Sequence, residues 1–475
     1  AAAIAAAVAI VASPLFPIGV ARVAEPRPGL SVQGTTVSLG LLAGFVGVVV
    51  VVALSSWRAL ASRRLAPDGV SAGGRPSKVA DVLARAGLPP TLTTGVRMSL
   101  DPGQGRRAVP VRTTIIGSVV AMSALAAALT FQASLSHLLT TPQLYGTAFD
   151  AQIEEANGDA FTVSKALPVL VADPEVAAVA VGYAAVPVRL GKVTAGAVAL
   201  DVKKGTFPSI LVEGRAPSGP DEVAVGTRTL RDLGARLGQS VDAQSLVSDA
   251  PPSPVRIVGR AVLPVESDTS GLGHGTVITV DGLRQVAGSA NFADPTQAVV
   301  RFQPGVDNAR ARIHLQARLD DVDPGGTVFA PTRPNEVVDF GHVQNLPVVL
   351  AAILAVLATA TIGHLLVSSV RRRRHDLAVL KSLGFLRRQA VAAVCWQATT
   401  LMVIALGVGV PLGVAIGRWT WGLLADQLGI LPRPATPLLA LLVLAPAALL
   451  LANTIAAAPA WSAGRTSSAV VLRSE

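Results

Sequence analysis

Apolar residues in this chain come in long blocks, not in short alternations. A membrane-spanning helix needs roughly 20 mostly apolar residues, because each residue advances only about 1.5 Å along the axis. Five blocks meet or nearly meet that length: residues 38–57, 113–135, 343–370, 390–417 and 436–458. A sixth, residues 1–21, is apolar from its first position and carries Pro14 and Pro17. Membrane helices tolerate proline when neighbours satisfy the freed carbonyls. The pattern therefore predicts six transmembrane helices.

Between 113–135 and 343–370 the pattern changes. Residues 136–341 carry short β-like runs: VAAVAVGY, SILVEG, DEVAVG, PVRIVGRAVLP, GTVITV and QAVVRF. Turn-rich stretches such as EGRAPSGP separate several of them. Helical patterns interleave, notably TRTLRDLGARLG at 227–238, with Gly238 as its expected C-cap, and VDNARARIHLQARL at 306–319. The expected fold class is membrane α-helical with a large extracytoplasmic α+β domain at 136–341.

Charge gives the direction of insertion. The chain has a net charge of +10, which by itself would suit nucleic acid. Its distribution argues for a membrane instead. Residues 58–112 hold ten basic and three acidic residues, and residues 371–389 hold seven and one. Residues 136–341 hold seventeen and twenty-three. Lys and Arg beside the ends of spans mark the cytoplasmic side. The linker 58–112, the segment 371–389 and the C-terminal tail 459–475 are therefore expected in the cytoplasm. Residues 136–341 and a short 418–435 loop are expected outside. This places a multi-pass protein in the cell membrane, with the lipid bilayer as a partner and no role for nucleic acid.

Catalytic patterns do not emerge. The six histidines are scattered, with no pair at helical metal-ligand spacing. Within 343–370 only His364 is ionisable, and a polar residue near the interface is its simplest reading. SGLGHGT at 270–276 has the glycines of a phosphate loop but lacks the GK[ST] ending, so a flexible surface loop is expected there. Cys395 stands alone in an apolar run, which excludes an intrachain disulfide framework. No cofactor or metal site is expected, and the chain is not expected to be an enzyme.

Two stretches echo each other. PLFPIGVAR at 14–22 parallels PLGVAIGR at 411–418, and a PRP follows each, at 26–28 and 432–434. Trp57 and Trp461 lie at similar distances beyond. On this reading residues 1–57 end a first unit whose complete second copy is 113–460. The sequence would then be truncated at its N-terminus, and a dimer or pseudo-dimer would follow from the repeat.

The segment RRRRHDLAVLKSLGFLRRQ at 371–389 interrupts two apolar blocks. Its arginine stems can lie along lipid while their heads reach anionic headgroups. Leu377, Leu380 and Leu383 share one helical stripe, and Gly384 can end the helix. A plain anchoring loop needs the arginines but not the stripe.

This segment, followed by GVGVPLGVAIG, resembles the signature of FtsX-like (MacB-type) ABC transporter permeases. The order of elements is similar too: one span, a large outside domain, then three spans. VEGRAPSGPDEVAVGTRTLRDLGARLGQSV at 212–241 resembles that family's outside domain. Actinobacterial members with two such units in one chain look most similar. The resemblance implies that 371–389 is the coupling helix, with Arg373, Arg374, Asp376, Leu377, Leu380, Lys381 and Gly384 making or shaping the contact with a separate cytoplasmic ABC ATPase. The absence of a GxxxxGK[ST] motif agrees with hydrolysis by that partner. Three positions depart from the family: Asp376 for the usual Glu, Lys381 for a common Arg, and Gln397 where Glu is frequent. Gln397 is read as a hydrogen-bonding residue between helices. The implied function is the permease subunit of an ABC transporter that transmits ATP-driven motion to its outside domain. The work would be export or extrusion of a lipid, lipoprotein, peptide or drug-like substrate, with an outside partner or substrate to match. The alternative implied by some relatives is regulation of an extracytoplasmic cell-wall hydrolase.

Overall fold

The computed structural model describes residues 85–465 apart from 86, 102–110, 156–160, 209, 265–270, 289–291, 293, 343 and 373–384. The expected spans at 1–21 and 38–57 lie outside the described residues, as does most of the linker 58–112. In chain order the helices are α1 (Pro90–Leu100), α2 (Val111–Thr140), α3 (Val163–Ala172), α4 (Thr227–Leu233), α5 (Val280–Ala287), α6 (Asn308–Asp320), α7 (Asn335–His342), α8 (Leu346–Arg372), α9 (Arg387–Leu428) and α10 (Leu438–Arg465). The strands are β1 (Ala151–Glu155), β2 (Val176–Leu190), β3 (Val193–Lys204), β4 (Leu211–Gly214), β5 (Glu222–Gly226), β6 (Ser240–Ser245), β7 (Ser253–Ala261), β8 (Thr276–Ile278), β9 (Gln297–Phe302) and β10 (Gly326–Phe329).

The chain divides into two compact units. One gathers residues up to 129 with 345–414 and 437–475; the other gathers 130–344 with 415–436. Helices α2 and α9 belong to both, since the division falls inside each.

The first unit is helical. Four segments among the described residues are long and apolar enough to cross a membrane: Val111–Thr140, Asn335–Thr361, Arg387–Leu428 and Leu438–Ala457. Helix is the form such sequences take in lipid, because it pairs every backbone N–H and C=O within the segment. Small residues dominate the contacts. Ala390, Val394, Ala398, Leu401, Met402 and Ala405 of α9 pack with Met122 of α2 and with Ala452 and Ala456 of α10. A polar bridge joins α9 to α10: Asn453 Nδ2 donates to Thr399 Oγ1 at 3.0 Å. Gln397 is buried on α9, as expected for a polar residue facing other helices. His364 is exposed on α8.

The second unit is a ten-stranded mixed sheet with helices on it. The strand order is β10-β1-β9-β2-β3-β8-β5-β7-β4, and β6 pairs with β2 and β7. Among the described residues, pairing is parallel only between β3 and β8 and between β5 and β7. VAAVAVGY forms the first half of β2, the centre of the sheet, where 178–183 are buried without alternation. That pattern belongs to a strand covered on both faces. Helices α3 and α6 bury Leu170, Leu315 and Leu319 against Ile153, Val181 and Val300. Helices α4 and α5 cover the neighbouring stretch, where Leu283 and Val286 meet Val223, Ile257 and Tyr183. One carboxylate is pinned inside this frame. Glu222 accepts from both Arg215 guanidinium nitrogens, from Arg256 at 2.9 Å and from the Ser218 N–H at 3.1 Å. The Arg215 hydrogen bonds, then the Ser218 N–H and Arg256, hold its pKa well below the usual carboxylate range.

Three expectations change. The helix at 227 ends at Gly234, whose φ of +65° is left-handed, so Gly234 and not Gly238 is the C-cap. The stretch 418–435 is not simply a loop: α9 continues to Leu428, because its turns there have a sheet unit to pack against. SGLGHGT is a seated loop over its described residues 271–276, with Leu272 fully buried. Its backbone is tied down: the Leu272 N–H donates to Glu336 Oε1 at 3.1 Å, and Gly273 O accepts from the Arg228 N–H at 2.9 Å.

Candidate coupling site

The residues expected to meet an ATPase, Arg373, Arg374, Asp376, Leu377, Leu380, Lys381 and Gly384, lie outside the described residues. Their flanks are described. Helix α8 runs to Arg372, and α9 starts at Arg387. The start of α9 is capped locally, with the Leu386 N–H donating to Gln389 Oε1 at 2.8 Å. FLRRQ thus begins the next long helix, as its sequence suggested.

Two turns into α9 a second element joins it. Helix α1 buries Gly95, Val96, Met98 and Ser99. A Cβ on Gly95 would sit 2.5 Å from Trp396 Cβ and 2.6 Å from the Ala393 carbonyl oxygen. Glycine is what lets the two backbones approach this closely. Further along α9, Gly409 and Gly413 form a GxxxG pair. A Cβ at Gly409 would lie 2.8 Å from Met122 Cβ, and one at Gly413 would meet the Ser123 carbonyl and lie 2.7 Å from Ala126 Cβ. This is the small-residue packing that joins helices in membranes.

In the second unit, the last turns of α2 and α9 are built into the sheet domain. Trp421 is fully buried and stands edge-on to Phe131, with ring centroids 5.7 Å apart. Leu135, Leu138, Leu144, Val262, Leu272, Val337, Ala425 and Ile430 belong to the same cluster. The segment after α9 is held by hydrogen bonds from Leu431 N–H to Leu144 O at 3.0 Å and from Ala435 N–H to Ser134 Oγ at 3.1 Å. Gly429 turns at φ +74° with its Cα against Gly273.

Three arginines close the C-terminal end of α9. Arg228 Nε donates to the Gln427 carbonyl at 3.1 Å, and Arg231 to the Asp426 carbonyl at 3.2 Å. Arg260 pairs with Asp426 Oδ1 at 2.9 Å. Helix C-termini leave carbonyls unpaired and carry partial negative charge, so cations settle there. Arg228 and Arg231 stand three apart on α4 and so share a face. That spacing was visible in TRTLRDL, but its target, Asp426, is nearly two hundred residues away in sequence. Among the described residues no group of three or more His, Cys, Asp and Glu side chains could hold a metal ion.

Residues 348–468, which take in nearly all of α8, the basic segment, α9 and all of α10, match the family described as FtsX-like permease C-terminal. Residues 348–468 thus carry an FtsX-like permease C-terminal region. An uncharacterized ABC transporter permease of Mycobacterium tuberculosis is 30% identical over 197 residues, covering 42% of this chain and 48% of the relative. A counterpart in Mycobacterium bovis matches to the same extent. A second M. tuberculosis permease, also uncharacterized, is 27% identical over 202 residues, covering 42% and 49%. The chain thus spans about half the length of the curated relatives it matches. Among solved structures, the periplasmic region of MacB from Actinobacillus actinomycetemcomitans matches at 12% identity with a TM-score of 0.29, covering 41% of this chain and 94% of that chain. The extracellular domain of the noncanonic ABC-type transporter YknZ from Gram-positive bacteria matches at 12% identity and a TM-score of 0.27, covering 38% and 98%.

Proposed function

We propose that this chain is the FtsX-like membrane subunit of an ABC transporter. A separate ATPase would push on residues 371–389. Helix α9 would carry the displacement to an extracytoplasmic sheet unit, which exports or extrudes a lipid, lipoprotein, peptide or drug-like substrate. The observation that carries this reading is the reach of α9. It starts directly after the basic segment, and its last turns are part of the sheet unit, capped by Arg228, Arg231 and Arg260.

Two further features support it. Helix α1, from the basic linker, packs on the start of α9, which agrees with the charge-based placement of 58–112 and 371–389 on one side of the membrane. Trp396 and Trp419 on α9 are 23 residues apart, about 34 Å of helix, close to the thickness of a bilayer core. Tryptophans favour such interfaces, and Trp419 is largely exposed. About nine residues of α9 then project beyond it.

The test is Leu377→Asp with Leu380→Asp in the full chain, with co-purification of an ATPase in mild detergent as the readout. Loss of the ATPase with the chain still inserted is the expected result. Retained binding at full turnover would remove the coupling role.

A further inference from the structure

The coupling segment is flanked by an element that the permease family match does not include. Helix α1 lies far outside residues 348–468. Yet it is seated on α9 at Ala393 and Trp396, only six to nine residues beyond Arg387, where α9 leaves the basic segment. The seat is tight and made of backbone. The Ala393 carbonyl cannot rotate out of the way of a side chain at position 95 as a flexible side chain could. Met98 extends the contact into the cluster of Ala390, Val394 and Ala398. Ser99 Oγ donates to the Val96 carbonyl at 2.7 Å, so the polar group on the buried face is satisfied within α1. The exposed side carries Arg97, paired with Asp101 at 3.2 Å. Helix α1 therefore spends its apolar and small residues on α9 and keeps its charge outward.

We infer that α1 is a clasp that fixes the first turns of α9, with Gly95 as the positioning residue, so that a push on 371–389 displaces α9 along its length instead of bending its free end. A helix end held only by its own first turn frays and absorbs displacement. An end packed against a second helix passes it on. The inference rests on the coupling reading above and adds a residue to it.

The experiment uses the full chain purified with its co-purifying ATPase. Gly95→Leu forces α1 off α9 while leaving 371–389 unchanged. The expected result is wild-type ATPase stoichiometry with turnover per assembled complex reduced at least fivefold. A purely structural role would lower yield and thermal midpoint but leave turnover per complex intact, and that outcome overturns the clasp. Should Gly95→Leu fail to accumulate, Gly95→Cys with Trp396→Cys in a Cys395→Ala background replaces it. The disulfide needs the two helices to part by about 1 Å to reach a normal Cβ separation. Cross-linking in membranes, read by mass spectrometry, with turnover within twofold of the uncross-linked form is expected. No cross-link, or a cross-link that stops turnover, overturns the clasp. Leu377→Asp with Leu380→Asp separates the two ideas, since it is expected to abolish binding where Gly95→Leu spares it. If the wild-type chain binds no ATPase, the coupling reading fails and the clasp falls with it.

Discussion

Trp421 offers the sharpest test of how the end of α9 is held. Its side chain is fully buried against Phe131, yet no acceptor among the described residues lies within hydrogen-bonding distance of its indole N–H. Two effects of opposite sign therefore meet at one residue. Truncating a buried Trp to Ala costs about 3–5 kcal/mol in lost contacts and cavity. An unpaired buried donor is itself a liability of about 1–3 kcal/mol, which either substitution removes. Trp421→Ala should then destabilise by about 0–4 kcal/mol, centred near 2 kcal/mol, and Trp421→Phe, which keeps the edge-on ring, by no more than about 1 kcal/mol. The assay is amide hydrogen exchange of the detergent-solubilised chain, followed at 130–140 and 421–431. With about 1.4 kcal/mol per tenfold, Trp421→Ala should speed exchange there by about thirtyfold, and Trp421→Phe by no more than about fivefold. If Phe costs as much as Ala, the N–H is paired after all and the argument fails.

Other expectations follow from the same geometry. Gly413→Leu overpacks the α2 contact and should cost about 1–3 kcal/mol as a lowered thermal midpoint, whereas Gly407→Leu, with no neighbour within 4 Å, should be close to neutral. Equal effects would deny the GxxxG packing. Glu222 has a folded pKa depressed by Arg215, Ser218 and Arg256, so its stabilisation is present above the ordinary value of 4.5 and is lost as pH falls below it. Glu222→Gln should therefore lower the thermal midpoint at pH 7 and flatten its decline between pH 5 and pH 3; an unchanged decline would show that other groups govern acid unfolding. In a Cys395→Ala background, Lys192→Cys should react with an impermeant maleimide on intact cells and Arg97→Cys only after permeabilisation. The reverse pattern would overturn the orientation.

How much was legible in the sequence varied with the kind of signal. The blocks at 113–135, 343–370, 390–417 and 436–458 were readable because lipid selects long apolar runs, and a helix is the structure such a run can adopt there. The runs rich in Val and Ile that became β2, β4, β5, β7, β8 and β9 were readable because such residues favour a pleated, packed surface. Strands β1, β3, β6 and β10 were not, because AQIEE, VTAGAVALDVKK, SVDAQS and GTVF are polar, short or rich in alanine and glycine. Their strand state comes from neighbours that supply the hydrogen bonds. The glycines of SGLGHGT looked like freedom, and Gly273 proved to be a contact against Gly429.

The sequence by itself determined the membrane class, and it is the source of the expected sidedness and of the basic segment expected to meet an ATPase. These are properties of local composition, set by the cost of placing charge or bare backbone in lipid. Tertiary structure decided what happens at the ends of α9. Gly95 meets Ala393, and Arg228, Arg231 and Arg260 meet the helix terminus at 426–427, across hundreds of residues of chain. Such meetings depend on which faces fold together. No local pattern encodes them, because an arginine on an exposed helix face looks the same before and after it finds a distant helix end to cap.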